Sequence, residues 1–282
     1  MDLDRLAELR LVVVTGKGGV GKTTLTAVLG RLMAGRGKRV LLLEADPRES
    51  LHQALGTEPS GGAMVPAGPG LSIQNLQPAE VIEALVREKV PIPYLARKIT
   101  ESVAYRQFAD AAPGLKETAL LGYAYRVLHG KKDMVVLDAP ATGHSAAMMA
   151  APGLLARASQ GGQLGDMAAE LAAYLADASR CGVVLATLAE EMPVQETLEL
   201  IDLLARQGIR PGLVVVNGMY PALPRGGRCP ELWKARRLMN EAERARLAAA
   251  WDGPMAELPL LPLDRGPALV EVLASRLAEA VP

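Results

Sequence analysis

The chain has 282 residues, half of them hydrophobic, which supplies apolar side chains for one large core or two modest ones and excludes an intrinsically disordered protein. Its 31 Lys plus Arg balance 31 Asp plus Glu, so no global field favours nucleic acid or an anionic membrane, and 3% aromatics exclude a stacking platform for single-stranded nucleic acid. Two cysteines, Cys181 and Cys229, build no disulfide framework, and a four-ligand zinc site within one chain would need help from the three histidines. A reducing cytoplasm is the expected compartment: residues 1–10 alternate acids and bases without an apolar secretion core, and no apolar run reaches about eighteen residues.

In chain order, the first apolar run, Leu11 to Thr15, reads as a strand, followed by Gly16-Lys17-Gly18-Gly19-Val20-Gly21-Lys22-Thr23. That octet matches G-x-x-x-x-G-K-[ST] in the strand-to-helix setting the motif requires. A triphosphate needs backbone N–H groups turned inward around it, and the glycines permit that approach. The next helix, Lys22 to about Ala34, aims its positive end at the same anion. Lys22 supplies a full charge to the β- and γ-phosphates, and the Thr23 hydroxyl is placed for Mg²⁺. The ligand is a nucleoside triphosphate, and the candidate nucleotide-binding run comprises Gly16, Lys17, Gly18, Gly19, Val20, Gly21, Lys22, Thr23 and Thr24.

A second strand, Val40 to Glu44, runs into Asp46, a carboxylate at the C-terminal end of a strand and so at the ligand crevice. Asp46 is a candidate for the metal site and for aligning the attacking water. Gly56 to Gly70, with its SGG and PAGPG pieces, reads as loop. Leu71 to Leu76 is a third strand, and Pro78 to Lys132 is too long for a simple crossover and reads as helical. Met134 to Asp138 is an apolar strand closed by a carboxylate, the spelling of a Walker B strand, so Asp138 is expected in the Mg²⁺ shell.

Ser145 to Arg180 is a second helical interval, interrupted at Pro152-Gly153. Its apolar stripe of Met148, Met149, Leu154, Leu155, Met167, Leu171 and Leu175 reads as core or dimer packing. Strands follow at Val183 to Thr187, Leu213 to Asn217 and Met255 to Leu260, with a Pro/Gly-rich loop at Tyr220 to Pro230 and a mildly amphipathic helix from Pro267. The alternation of apolar strands with helices predicts a doubly wound, mostly parallel α/β sheet of the P-loop type, as one domain with helical insertions at about 78–132 and 145–180 forming a layer over the sheet.

The string KGGVGKT resembles the deviant phosphate loop of the MinD/ParA, nitrogenase iron protein and arsenite pump ATPase class. The resemblance implies that Lys17 reaches across a dimer interface to the partner's phosphates, acting in trans as an arginine finger does. Asp138-Ala139-Pro140-Ala141-Thr142-Gly143-His144 narrows this: it resembles the second switch of the arsenite pump and tail-anchored-protein targeting ATPases, D-T-A-P-T-G-H, with Asp138, Thr142, Gly143 and His144 matching. His144 is read as a hydrogen-bond partner, not a proton carrier. Asp46-Pro47 match the family's D-P-A-H switch I, while Arg48 and Glu49 depart from it. Thr187 to Thr197 resembles the family's strand exit and following helix, with Glu190, Glu196 and Thr197 in familiar places. Val214 to Asn217 resembles the strand whose asparagine reads adenine, and Leu258 to Gly266 the loop that packs on the base, which points to Pro262, Leu263 and Asp264. Asn217-Gly218 also reads as a simple turn pair.

The resemblance implies Mg²⁺-dependent ATP hydrolysis to ADP by a dimer, either of this chain or with a related ATPase chain, coupled to a hydrophobic client or membrane-protein partner. Arsenite wants three converging thiolates, so two cysteines speak against it as client. Cys181 reads as a buried thiol, and Cys229 lacks the second cysteine of C-x-x-C, so no zinc clasp is expected. The alternative is a MinD/ParA-like nucleotide-switched scaffold. Its membrane-anchoring version calls for a basic amphipathic tail, which the last helix, with Glu271, Arg276 and Glu279, does not supply.

Overall fold

The computed structural model describes residues 2–45, 49–90, 92–103, 107, 114–130, 132–139, 145–159, 162–222 and 230–281. Eight strands form one sheet: β1 (Leu11–Gly16), β2 (Val40–Glu44), β3 (Val65–Gly68), β4 (Leu71–Asn75), β5 (Met134–Asp138), β6 (Cys181–Leu188), β7 (Leu213–Met219) and β8 (Met255–Pro259). Their order is β3-β4-β2-β5-β1-β6-β7-β8, parallel throughout except where β3 runs against β4. This is the doubly wound α/β architecture expected from the alternating pattern.

The central strands are buried on both faces, which is why they read as unbroken apolar runs. Successive side chains point to opposite sides, so Val12 and Val14 join one core while Leu11 and Val13 join the other. The first core is covered by α1 (Leu3–Glu8), α2 (Lys22–Gly35), α3 (Leu51–Leu55) and α11 (Pro267–Ala280). The second is covered by α4 (Pro78–Lys89), α6 (Leu115–Leu128), α7 (Ser145–Ala158), α8 (Gly162–Ala176), α9 (Glu191–Arg206) and α10 (Glu231–Ala250), with α5 (Pro93–Thr100) packed on α4.

Two expectations are corrected. Residues 56–70 contain the edge strand β3, whose pairing with β4 shifts register between Pro66 and Gly68. An edge strand bonds on one side only and so tolerates the proline and glycines that spell a loop locally. Pro152 does not interrupt the second helical interval, because α7 runs through it. Proline removes one backbone donor, and burial of Met148, Met149, Ala151 and Leu155 holds the helix against that loss. Of the apolar stripe, Met148, Met149, Leu155, Leu171 and Leu175 are core, whereas Leu154 and Met167 are exposed.

Candidate functional site

The site lies where β1, β2 and β5 deliver their C-terminal ends to one edge of the sheet. β1 closes on Gly16, paired in register with Ala186 of β6. Gly16 has φ +144°, and a Cβ there would stand 2.2 Å from the Ala186 carbonyl oxygen. The loop then turns into α2, capped by Gly21 at φ +92° with no side-chain cap bond. A helix start without a capping side chain keeps its N–H groups for an anion.

Lys22 is buried, and its Nζ donates to the Lys17 carbonyl at 2.8 Å, folding the side chain back over the loop. The Thr23 hydroxyl donates to Asp138 Oδ2 at 2.6 Å. Asp138 Oδ1 is buried with no hydrogen-bond partner among the described residues. A hydroxyl beside a carboxylate with one open oxygen is a hard-oxygen set that fits Mg²⁺. Burial pushes the Asp138 carboxyl up to about 7; Thr23 opposes the shift and repulsion from Glu44 adds to it. A carboxyl raised above its ordinary 3.8 contributes stability that is complete below about pH 4 and lost as pH rises through about 7. In EDTA, the melting temperature of the wild type relative to Asp138→Asn should therefore fall between pH 5 and 8. Parallel curves would refute the assignment.

Lys17 is about one-third exposed, and its ammonium forms an ion pair with Glu196 of α9 in the same chain. Thr24 is half-buried in the first turn of α2. Asn217 donates from Nδ2 to the Val20 carbonyl at 3.0 Å and accepts from Gly218 N–H at 3.0 Å, so it both braces the loop and makes the local turn. Pro262, Leu263 and Asp264 are exposed beyond β8. The structure brings together Lys17, Lys22, Thr23, Asp138 and Asn217. Asp46, Pro47, Arg48, Thr142, Gly143, His144 and Cys229 lie outside the described residues. Cys181 is a buried free thiol, and burial pushes it up to about 12, so it stays protonated.

Sequence reasoning assigned no role to Glu44, Ser50 or Arg265, and read Glu49 only as a departure from the family's switch I. Glu44 is 2% exposed and accepts from Ser50 and Leu51. Ser50 Oγ lies 3.5 Å from Thr23 Oγ1. Arg265, one residue past the exposed triplet, donates to the Ser50 carbonyl at 3.1 Å. Glu49 accepts from the N–H groups of Ser60 and Gly61 at 2.5 and 3.0 Å, which ties the exit of the Asp46 segment to the turn before β3. A charged residue closing an otherwise apolar strand was the available signal for Glu44.

Behind the sheet edge, α4, α6, α7 and α8 enclose a largely apolar groove of about 470 Å³. Ile82, Leu85, Leu115, Leu155, Met167 and Leu171 are among its lining, and the Tyr125–Glu170 hydrogen bond and Arg126–Glu88 ion pair border it. No helix among the described residues is long and apolar enough to cross a membrane.

A family model described as anion-transporting ATPase matches residues 9–161 and 162–279. ATPase BagA of Mycobacterium tuberculosis is 33% identical over 232 residues, which cover 77% of this chain and 67% of that protein. The arsenical pump-driving ATPase of Acidiphilium multivorum is 28% identical over 272 residues, 88% of this chain and 43% of that protein. ATPase ASNA1 homolog 2 of Paramecium tetraurelia is 26% identical over 152 residues, 52% of this chain and 45% of that protein. The chain thus spans less than half the length of the last two.

Proposed function

This chain belongs to the anion-transporting ATPase family and hydrolyses ATP, and from that premise we propose that it works as a nucleotide-gated dimer whose ATP cycle opens and closes the apolar groove around a hydrophobic client. The observation that carries this reading is connectivity. Asp138 ends β5, and α7, which starts at Ser145, supplies Leu155 to the groove wall, so a change at the phosphate site is seven residues from the groove-forming helix.

ATP sits in the loop from Gly16 to Thr24, with its base toward Asn217 and the Pro262-Leu263-Asp264 rim. Lys22 neutralises the β- and γ-phosphates of its own chain, and a Lys17 from the second protomer does so from across the interface. Mg²⁺ held by Thr23 and Asp138, with Asp46 as a further candidate ligand, would offset charge on the phosphate oxygens. Asp46 orients water for in-line attack, and release of phosphate relaxes the segments after Asp46 and Asp138. The cis pair of Lys17 with Glu196 describes a single protomer. Dimer formation exchanges Glu196 for phosphate as the lysine's partner.

The mouth of the groove supports an apolar segment as client. Leu164 and Met167 are 44% exposed, and Ile92, Tyr94 and Leu95 expose apolar surface on and before α5. One protomer offers room for a few side chains, so a whole helix requires both subunits. The test uses a fluorescent 20-residue Leu/Ala helix with lysine ends. Its affinity should differ between Mg·ATP and Mg·ADP states, and the double variant Leu164→Glu/Met167→Glu should weaken it about tenfold while ATP binding persists. Identical peptide affinity in every nucleotide state would sink the coupling.

A further inference from the structure

The client groove lies within a single protomer, since its walls come from α4, α6, α7 and α8 of one chain. Its volume of about 470 Å³ falls inside the range of about 300–1,000 Å³ in which proteins hold small molecules. Leu115 and Arg126 both line it, and between them α6 runs about 16 Å at about 1.5 Å per residue. A polypeptide helix is about 10–12 Å across with its side chains and needs both protomers. One hydrocarbon chain needs only this groove.

Charge is not spread evenly along the apolar walls. The two charged residues of the lining, Arg126 and Glu170, stand together where α6 approaches its C-terminal end. Glu170 is engaged within the wall, its Oε1 accepting the Tyr125 hydroxyl at 2.6 Å. Arg126 donates from one terminal nitrogen to Glu88 at 2.5 Å, and a guanidinium carries five N–H groups. Glu88 is not part of the lining. Its side chain is 59% exposed and that of Arg126 39%, and ion pairs so open to water hold weakly. A carboxylate brought to Arg126 on a tail buried in the groove therefore displaces Glu88 at little cost and gains the charge-assisted bond. An apolar bed with a guanidinium at one end complements an amphiphile with one acidic head.

We propose that the groove of each protomer binds one straight-chain acyl amphiphile, with the tail along α6 and its carboxylate on Arg126. The inference names the chemical class of the client and rests on the groove being the client site.

Calorimetry on the full chain tests it with three ligands that share one tail, namely dodecanoate, dodecanol and dodecyltrimethylammonium, each kept below its micelle concentration. Dodecanoate should bind one per protomer and at least about tenfold more tightly than the other two. Decanoate should bind about tenfold more weakly than dodecanoate, since each buried methylene is worth about fourfold in affinity. Arg126→Gln should weaken dodecanoate about tenfold and leave dodecanol within about twofold, while Glu88→Gln should tighten dodecanoate. Equal affinity for the three heads overturns the proposal, as does dodecanoate binding that survives Leu164→Glu/Met167→Glu. Should Arg126→Gln fail to fold, the comparison of heads on the wild type decides alone. Binding of the Leu/Ala helix without any binding of dodecanoate overturns this inference and leaves the hydrophobic-client reading standing. Dodecanoate bound with the predicted head preference but equally in Mg·ATP and Mg·ADP supports the inference and removes the nucleotide gating.

Discussion

Lys17→Ala should lower ATP turnover on the order of 10³-fold or more, the scale on which a cation supplied to the transferring phosphoryl group acts. Folding should hardly change. The Lys17–Glu196 pair is about one-third exposed on each side, and such pairs contribute less than about 1 kcal/mol. Binding of ADP by a single protomer should also survive, because the contact that positions Lys22 uses the backbone carbonyl of residue 17, which alanine keeps. The loss should therefore appear in kcat and in nucleotide-dependent dimerisation, followed by phosphate release and sedimentation of the same samples. Normal hydrolysis by the alanine variant would remove the trans lysine from the mechanism. Glu196→Gln tests the same exchange from the other side. Without its cis competitor, Lys17 should reach the partner at lower protein concentration, so half-maximal specific activity should shift downward.

Gly16→Ala should be the most damaging single methyl in the site. Its Cβ would sit 2.2 Å from a backbone carbonyl of β6, which cannot swing aside as a side chain would, and φ at +144° is one that L residues rarely adopt. Strain and overpacking together cost about 3 kcal/mol or more. The strand end that moves in response is the one that launches the phosphate loop, so mant-ADP affinity should fall about 100-fold along with the urea midpoint. A variant with wild-type midpoint and affinity would show that β1 and β6 can separate at this point without disturbing the loop. Gly21→Ala would meet only the Asn217 amide, a side-chain group able to rotate, and should be milder.

What was legible from residues alone follows from local rules. Strands β1, β2 and β5 were readable to within a residue because burial on both faces makes them uninterrupted apolar runs bounded by glycine or carboxylate. The phosphate loop was readable because its backbone geometry demands glycine at fixed spacing. The edge strand β3 and the passage of α7 through Pro152 were not readable, since each is stabilised by neighbours distant in sequence against its own local preference. The groove was partly legible: Leu155, Met167 and Leu171 of its lining were visible in the stripe, but Ile82, Leu85 and Leu115 join them only through the packing of α4, α6, α7 and α8.

The amino-acid sequence by itself determined a parallel nucleotide-binding sheet, its phosphate loop and the Asp138 carboxylate at the end of β5, because period, spacing and residue type are properties of short segments. Only the tertiary structure decided that Glu44 faces Asp138, that Ser50 bridges toward Thr23, that Lys17 rests on Glu196 and that Asn217 braces Val20. Those contacts join residues from 27 to 197 positions apart, or strands set side by side by the sheet order, and their geometry is set by packing that no local pattern records.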